Sequence, residues 1–337
     1  MTENRMPVVV LRETGRQGDW NRLELDEAPL PSPGPGEALV RVEACSVNRA
    51  DLLQRRGLYP PPPGASSILG LDFAGSVVLP PSGKREWREG DRVFGIVAGG
   101  GYGRFVAAAA DHLVPMPEKL SFVEAAAAAE VFFTAFHNLV REGELKEGET
   151  VLIHGGGSGV GTAAIQLVRN AGATAIITAG SDEKIAHCLA LGATHGINYN
   201  TEDFAKRVME LTDGAGADLV LDWIGAPYLA RHIEILKTRG RLVIIGLMGG
   251  HTAEIALAPV LARRLRIIGS VLRTQSHAEK TALAAGFRER VLPLLASGKV
   301  RPVIHRVLPI QAVEEAHSML REGGHFGKVV LTWGEPR

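Results

Sequence analysis

The stretch VLIHGGGSGVGTAAIQLV (151–168) restricts the possible folds more than any other part of the chain. A short apolar run enters a glycine-rich loop, and an amphipathic segment of helical period leaves it. Glycines let a backbone turn sharply and approach a pyrophosphate, whose charge is held by the unpaired N–H groups at a helix N-terminus. In G-x-G-x-x-G register from Gly156, the middle glycine position holds Ser158, so the fingerprint is imperfect. Its context is what strengthens it. Apolar runs VLIH (151–154), AIITA (175–179), GINY (196–199), DLVLDWI (218–224), RLVIIG (241–246) and LRIIGSV (265–271) alternate with helical patterns near 161–171, 182–191, 202–212, 228–237 and 257–264. Parallel strands need crossover connections, so this alternation predicts an α/β, doubly wound parallel sheet that binds a dinucleotide.

The flanking regions have another texture. Before residue 130 the apolar runs at 7–11, 38–44, 73–78, 92–97 and 105–108 are short and bounded by Gly and Pro, as strands are. The prolines at 60–63 cannot lie inside a sheet, because proline lacks the ladder donor, and they predict a surface loop. Ser121, with Glu124 three residues on, opens an alanine-rich segment read as two helices. After about 275 come a helix (277–296), a strand (303–308), a helix (311–320) and the strand KVVLT (328–332). The nucleotide-type unit therefore occupies 131–274. The expectation is one discontinuous, mostly β domain built from 1–130 and 275–337.

Bulk properties exclude several classes. The 337 residues suit two domains, and 45% apolar with 22% charged residues is the balance of a folded globular chain. Lys+Arg and Asp+Glu both number 37, so no net charge draws the molecule to nucleic acid or an anionic membrane. No apolar run approaches bilayer length, and the N-terminus lacks the pattern of a secretion signal. Two cysteines, Cys45 and Cys188, cannot form a disulfide framework or a Cys-based structural zinc site. A reducing, cytoplasmic setting is the expectation.

The end of the second strand bears on the cofactor. NAD sites place an acid there for the ribose 2′-hydroxyl. This chain has Gly180 at that position, followed by Ser181, which can donate to a phosphate, and Lys184, which brings a positive charge. Asp182 and Glu183 then fit as solvent-facing residues of a helix N-terminus. Ser181 as a plain helix cap is the alternative, and the two roles are compatible.

These residues, with VEACSVNRADLLQRRGLYPPPPGASSILGLDFAG (42–75), GDRVFGIVAGGGYGRFV (90–106), TAF (134–136) and FGKVVL (326–331), resemble the quinone oxidoreductases of the medium-chain dehydrogenase/reductase superfamily over nearly the whole chain. EVFFTAFHNL, HGGGSGVGTAAIQL and TAGSDEK are most similar to the p53-inducible group, although Ala129 stands where that group has proline before the glutamate. The resemblance implies a GroES-like catalytic domain, a Rossmann domain, NADPH, and quinones or related carbonyl compounds as acceptors. It implies that Ser158, Gly159 and Val160 meet the pyrophosphate, and that Gly180, Ser181, Lys184 and Tyr199 surround the 2′-phosphate. Gly246, Leu247 and Met248, with Leu272 and Arg273 from the last Rossmann strand, would hold the nicotinamide half. Asn48, Asp51, Tyr59 and Thr134 match positions lining the nicotinamide and substrate cleft. Zinc-dependent relatives place cysteine at the position of Asn48 and a His-Glu pair at Leu71-Asp72, so no metal is expected.

Without metal or nucleophile, the reduced nicotinamide carries the chemistry. Asn48 and Tyr59 could donate to the acceptor oxygen as it gains charge. Asp51 could orient them or relay a proton. Structural alternatives stand beside each: Asn48 as a helix cap, Asp51 as an N-terminal helix charge, Tyr59 packed on the proline loop. Cys45 reads as a small buried residue. Enone or enoyl-thioester reduction, and a non-catalytic NADPH-binding protein, are the competing functions. The apolar run LRIIGSVL (265–272) reads as an open sheet edge that would pair two copies into a homodimer.

Overall fold

The structure, a computed structural model, describes residues 4–15, 18–83 and 86–334. The chain divides into two compact units. One combines the residues up to Phe133 with those from Leu272 onward, and the other runs from Thr134 to Val271.

The first unit opens with β1 (Arg5–Arg12), β2 (Arg22–Pro29) and β3 (Glu37–Ser46), followed by α1 (Arg49–Arg55), β4 (Asp72–Leu79), β5 (Arg92–Ile96), β6 (Phe105–Ala109) and β7 (Val114–Pro115). β1 and β2 pair antiparallel by themselves. β2 is absent from the sequence reading for a clear reason: it buries Leu23 and leaves most other positions in contact with water, so its alternation is faint. β3 is the opposite case, buried on nearly every residue because β4, β6 and a C-terminal strand all pair with it.

Helix α2 (Phe122–Phe136) carries the chain across the division. Residues 121–140 were expected to form two helices. They form α2 continued by a π-helical turn, His137–Glu142, since no Gly or Pro interrupts them. The division falls between Phe133 and Thr134, within this helix.

In the second unit β8 (Thr150–Ile153), α3 (Gly159–Asn170), β9 (Thr174–Ala179), α4 (Asp182–Leu191), β10 (His195–Asn198), α5 (Phe204–Leu211), β11 (Ala217–Asp222), α6 (Ala226–Ile235), β12 (Leu236–Ile244), α7 (Leu257–Arg263) and β13 (Arg266–Gly269) alternate. Among the described residues the sheet order is β10-β9-β8-β11-β12-β13, with every pair parallel. This is the doubly wound Rossmann order, and it reverses direction between β8 and β11. Ligands of such sheets bind outside the strand C-termini at that switch point. Leu152, Ile176, Ile197, Val220 and Leu242 fill the core beneath.

Three strand ends fall two residues short of expectation, that of β12 at Ile244 instead of 246. β11 stops at Asp222 because its carboxylate accepts the N–H groups of Ile224 and Gly225 (2.8 and 2.9 Å), turning the chain out of the sheet. β13 stops at Gly269 instead of 271, and Leu272 and Arg273 belong to the other unit, not to the last Rossmann strand.

The chain then completes the first unit with α8 (His277–Arg290), α9 (Leu292–Ser297), β14 (Ile304–Pro309), α10 (Val313–Glu322) and β15 (Lys328–Thr332). The single helix expected at 277–296 breaks at Val291, where Pro293 starts α9 without a backbone donor. β15 joins β14 to β3, giving the order β14-β15-β3-β4-β5-β7 with β6 also on β3. Chain segments almost three hundred residues apart thus share one GroES-like core around Val40, Phe73, Val93, Val329 and Leu331.

Candidate functional site

The glycine loop in the second unit has the form a dinucleotide needs. Ser158 caps α3 by accepting the Gly161 N–H at 3.0 Å, which leaves the first-turn N–H groups of Gly159 and Val160 outside the helical ladder. A Cβ on Gly161 would lie 2.5 Å from the Gly155 carbonyl oxygen, so only glycine permits this close approach. The loop therefore fits a pyrophosphate by backbone donors and by shape.

At the end of β9, Gly180 lies under Tyr199. A Cβ at 180 would meet the Tyr199 hydroxyl at 2.5 Å, so with Tyr199 so placed an acidic side chain has no room. Ser181 caps α4, accepting the Lys184 N–H at 3.3 Å. Asp182 is exposed, yet it does not simply face solvent as expected, for it accepts a hydrogen bond from Asn198 Nδ2 at 2.7 Å. Gly246, Leu247 and Met248 follow β12, and Leu247 and Met248 are exposed apolar residues. Their loop is pinned to the one after β11 by Met248 N–H on Trp223 (3.0 Å) and Gly249 N–H on Ile224 (2.7 Å). Thr134, in α2, is buried, and its carbonyl accepts from Asn138 Nδ2 at 2.8 Å.

Directly behind the switch point is a pair of histidines that sequence reasoning missed. His154 follows β8, and its Nε2 lies 2.7 Å from His232 Nε2, while its Nδ1 lies 3.0 Å from Thr178 Oγ1. Thr178 Oγ1 also accepts the Gly155 N–H at 3.2 Å. One tautomer set satisfies this hydrogen-bonded chain with a proton on His232 Nδ1, facing Asp222 Oδ2 4.0 Å away: His154 then donates from Nε2 to His232 and accepts the Thr178 hydroxyl proton at Nδ1. Burial holds His154 well below the ordinary histidine range and His232 at about 3, so both rings are neutral and no ion pair with Asp222 forms. Burial raises Asp222 to about 6. Although His154, His232 and Asp222 cluster, two nitrogens bound to one zinc would stand about 3.3 Å apart. At 2.7 Å they share a proton instead.

The expected catalytic residues in the first unit form a buried network. Asn48 sits at the N-cap position of α1, but its side chain turns into the core. Lys328 Nζ donates to Asn48 Oδ1 (2.6 Å) and to the Val47 carbonyl (2.9 Å). Asn48 Nδ2 donates to Asp72 Oδ2 (2.7 Å) and to the Ser46 carbonyl (3.2 Å). An ammonium only donates and a carboxylate only accepts, so these neighbours settle the amide's orientation. Asp72 also accepts from the Ser46 N–H (2.6 Å) and hydroxyl. Burial pushes Asp72 up, against the pull of Lys328 and these donors.

Both amide hydrogens of Asn48 are thus bonded inside the protein. Asp51 is equally sealed. Fully buried, it accepts from the Asn48 N–H (2.8 Å), the Gly70 N–H (3.1 Å) and the Tyr102 hydroxyl (3.2 Å), and Tyr102 in turn meets His317 Nε2 at 3.1 Å. Burial raises Asp51 to about 7. It organises the start of α1 and is closed off from solvent. Cys45 is buried and its thiol is pushed well up by that burial, as befits a packing residue.

Tyr59 differs from these. It is half-buried on the proline loop, its ring lies 5.0 Å from the Arg273 guanidinium, and among the described residues its hydroxyl has no hydrogen-bond partner. Burial raises its pKa while Arg273 lowers it. Arg273, expected at the end of the last Rossmann strand, belongs to the first unit. It is buried against Tyr59, Gln54 and Ala98 in the first unit.

Residues 34–118 match the family described as alcohol dehydrogenase GroES-like domain, and residues 159–287 match the family described as zinc-binding dehydrogenase. Human quinone oxidoreductase is 32% identical over 305 residues, covering 90% of this chain and 91% of its own. The crystal structure of Escherichia coli quinone oxidoreductase complexed with NADPH superposes with a TM-score of 0.83 at 28% identity, covering 97% and 99% of the two chains. A structure described as an NAD-dependent alcohol dehydrogenase is 34% identical, with a TM-score of 0.83 and 98% and 100% coverage. With the Rossmann order, the glycine loop and the GroES-like core, these likenesses establish that the chain belongs to the medium-chain dehydrogenase/reductase superfamily, as a nicotinamide-dependent oxidoreductase with quinone oxidoreductases among its relatives.

Proposed function

We propose that the protein uses NADPH to reduce quinones or related activated carbonyl compounds without a metal. The observation that carries the cofactor choice is the end of β9, where Gly180 stands in place of an acid and Ser181 and Lys184 follow at the start of α4. In this reading Ser158, Gly159 and Val160 hold the pyrophosphate, and Ser181, Lys184 and Tyr199 surround the 2′-phosphate. Leu247 and Met248 offer an apolar wall to the nicotinamide half. The bound cofactor supplies hydride. The Tyr59 hydroxyl donates a hydrogen bond to the acceptor oxygen as that oxygen becomes negative, an effect largest in the transition state. Asn48, Leu71 and Asp72 stand where zinc-dependent relatives carry their ligands, and Asn48 and Asp72 are bound to Lys328 and Ser46 instead.

The paired quinone oxidoreductases support the acceptor class. The protein is read as a cytoplasmic homodimer joined at the β13 edge. Among the described residues β13 pairs with β12 alone, and Ile267, Val271, Leu257 and Leu261 are exposed nearby. A monomeric mass by light scattering would remove the dimer. No helix among the described residues is long and apolar enough to cross a membrane.

Steady-state oxidation of NADPH and NADH against a panel of quinones, enones and enoyl thioesters, on protein dialysed against a strong chelator, tests the whole reading. NADPH with quinones should give the highest kcat/KM, and Lys184→Ala should weaken NADPH about tenfold while NADH hardly changes. Equal use of both cofactors, inactivity with quinones, or activity restored only by zinc would overturn it.

A further inference from the structure

The buried arginines of this protein separate into two kinds. Arg55 pairs with Glu314 and Arg241 with Glu149, as buried guanidiniums ordinarily do. Arg273, equally buried, has no carboxylate partner among the described residues. Its fork grips three neutral acceptors on separate segments. Nη2 donates to Gln54 Oε1 on α1 (2.6 Å), Nη1 to the Tyr59 carbonyl (3.0 Å) and Nε to the Ala98 carbonyl beyond β5 (2.8 Å). Gln54 passes the connection on, donating from Nε2 to the Ser67 carbonyl (3.1 Å), so both ends of the proline loop are held. Lys280 Nζ anchors the Arg273 carbonyl at 2.8 Å. The guanidinium faces the Tyr59 ring as well as its backbone.

Burying a guanidinium without an acid is costly, and a packing role alone would be met as well by an apolar side chain. What the charge adds is directed at Tyr59. A cation on the face of a phenol ring withdraws density from it, which makes the hydroxyl a stronger donor.

We propose that Arg273 is a positioning residue for Tyr59: it locks the loop through the Tyr59 carbonyl and, through the ring, strengthens the hydroxyl that donates to the quinone oxygen. The proposal rests on the role given to Tyr59 above.

The test compares Arg273→Gln, Arg273→Lys, Tyr59→Phe and the double variant Arg273→Gln/Tyr59→Phe, each first checked for its melting temperature. Arg273→Gln should lower kcat with a quinone by about tenfold while NADPH affinity stays within about twofold. Arg273→Lys, which keeps a charge at the ring but loses the fork, should recover part of that loss. In the Tyr59→Phe background Arg273→Gln should change kcat by less than about twofold, because its effect passes through the hydroxyl. Fully additive losses would overturn the proposal, and so would weakened NADPH binding with kcat intact. If Tyr59→Phe alone leaves kcat unchanged, the donor role of Tyr59 fails. Hydrogen exchange then judges the lock separately: faster exchange of the amides at 57–59 and 64–66 in Arg273→Gln supports it, and unchanged exchange refutes it.

Discussion

Each unit buries a polar cluster against its candidate site, and the two clusters are built on opposite principles. In the GroES-like unit, Lys328, Asn48 and Asp72 bring opposite charges into the core and join them through an amide. In the Rossmann unit, His154 and His232 bury two ionisable rings but keep them neutral, packed against Phe204 and Tyr228. A buried charge is tolerated only with its partner in place, whereas a neutral buried donor costs one hydrogen bond when its partner goes. The charged cluster should therefore be brittle and the neutral one forgiving.

The largest expected effect follows from that brittleness. Lys328→Met leaves the Asp72 carboxylate buried without its cation and should cost ~3–5 kcal/mol of stability by urea unfolding. Adding Asp72→Asn should recover much of the loss. A single-variant cost below ~1 kcal/mol would show that Asp72 is already neutral in the folded protein, and the comparison would break.

Next in size is the pH response, where Asp51 and the histidine pair should differ in sign. Asp51, raised by burial, favours the fold while protonated: its contribution is complete below the ordinary aspartate range and disappears as pH rises through about 7. His154 and His232, lowered by burial, contribute above the ordinary histidine range and lose that contribution as pH falls, for His232 through about 3. Stability measured between about 3.8 and about 7 should thus rise more steeply with pH in Asp51→Asn than in the unaltered protein. In His232→Phe it should rise less steeply. Each proton changes the slope by at most ~1.4 kcal/mol per pH unit. Slopes moving in the same direction would contradict the assignment.

The smallest effect is the loss of the histidine pair itself. His232→Phe leaves His154 Nε2 without its partner and should cost ~1–3 kcal/mol at neutral pH. Replacing both rings by apolar ones should cost less than the sum of the single changes, a result the charged cluster should reproduce only when Lys328 and Asp72 are changed together.

The part of the fold that was legible in advance consists of local patterns. The strand, glycine loop and helix at 151–168 and the alternation after it depend on neighbours a few residues apart, and the sheet is parallel and doubly wound as they implied. β2 was illegible because so few of its side chains are buried, and the ends of β11 and β13 were misread because apolar letters continue past the last ladder bond. At the site, the residues of the glycine loop and of the turn after β9 stand where their spacing placed them. Asn48 and Asp51 were found as residues, but not the network that holds them. Nothing near them in sequence says that Lys328 bonds to Asn48 and Tyr102 to Asp51. A lysine opening the apolar run KVVLT and a histidine closing VLIH were the available signals, since a polar residue in a buried strand needs a partner.

The sequence by itself determined the Rossmann unit, its phosphate loop, the absence of an acid at Gly180 and the replacement of the usual zinc-binding residues by Asn48, Leu71 and Asp72. Each of these is a matter of residue type at a local spacing, and local geometry follows from steric freedom and hydrogen-bond capacity within one turn. The tertiary structure alone decided which polar groups remain available for chemistry. Lys328 meets Asn48 across 280 positions, and Arg273 meets Tyr59 across 214. A side chain's donors are spent or spare according to what the fold brings beside them, and here that binds both amide hydrogens of Asn48 inside the protein and sets Arg273 against the ring of Tyr59.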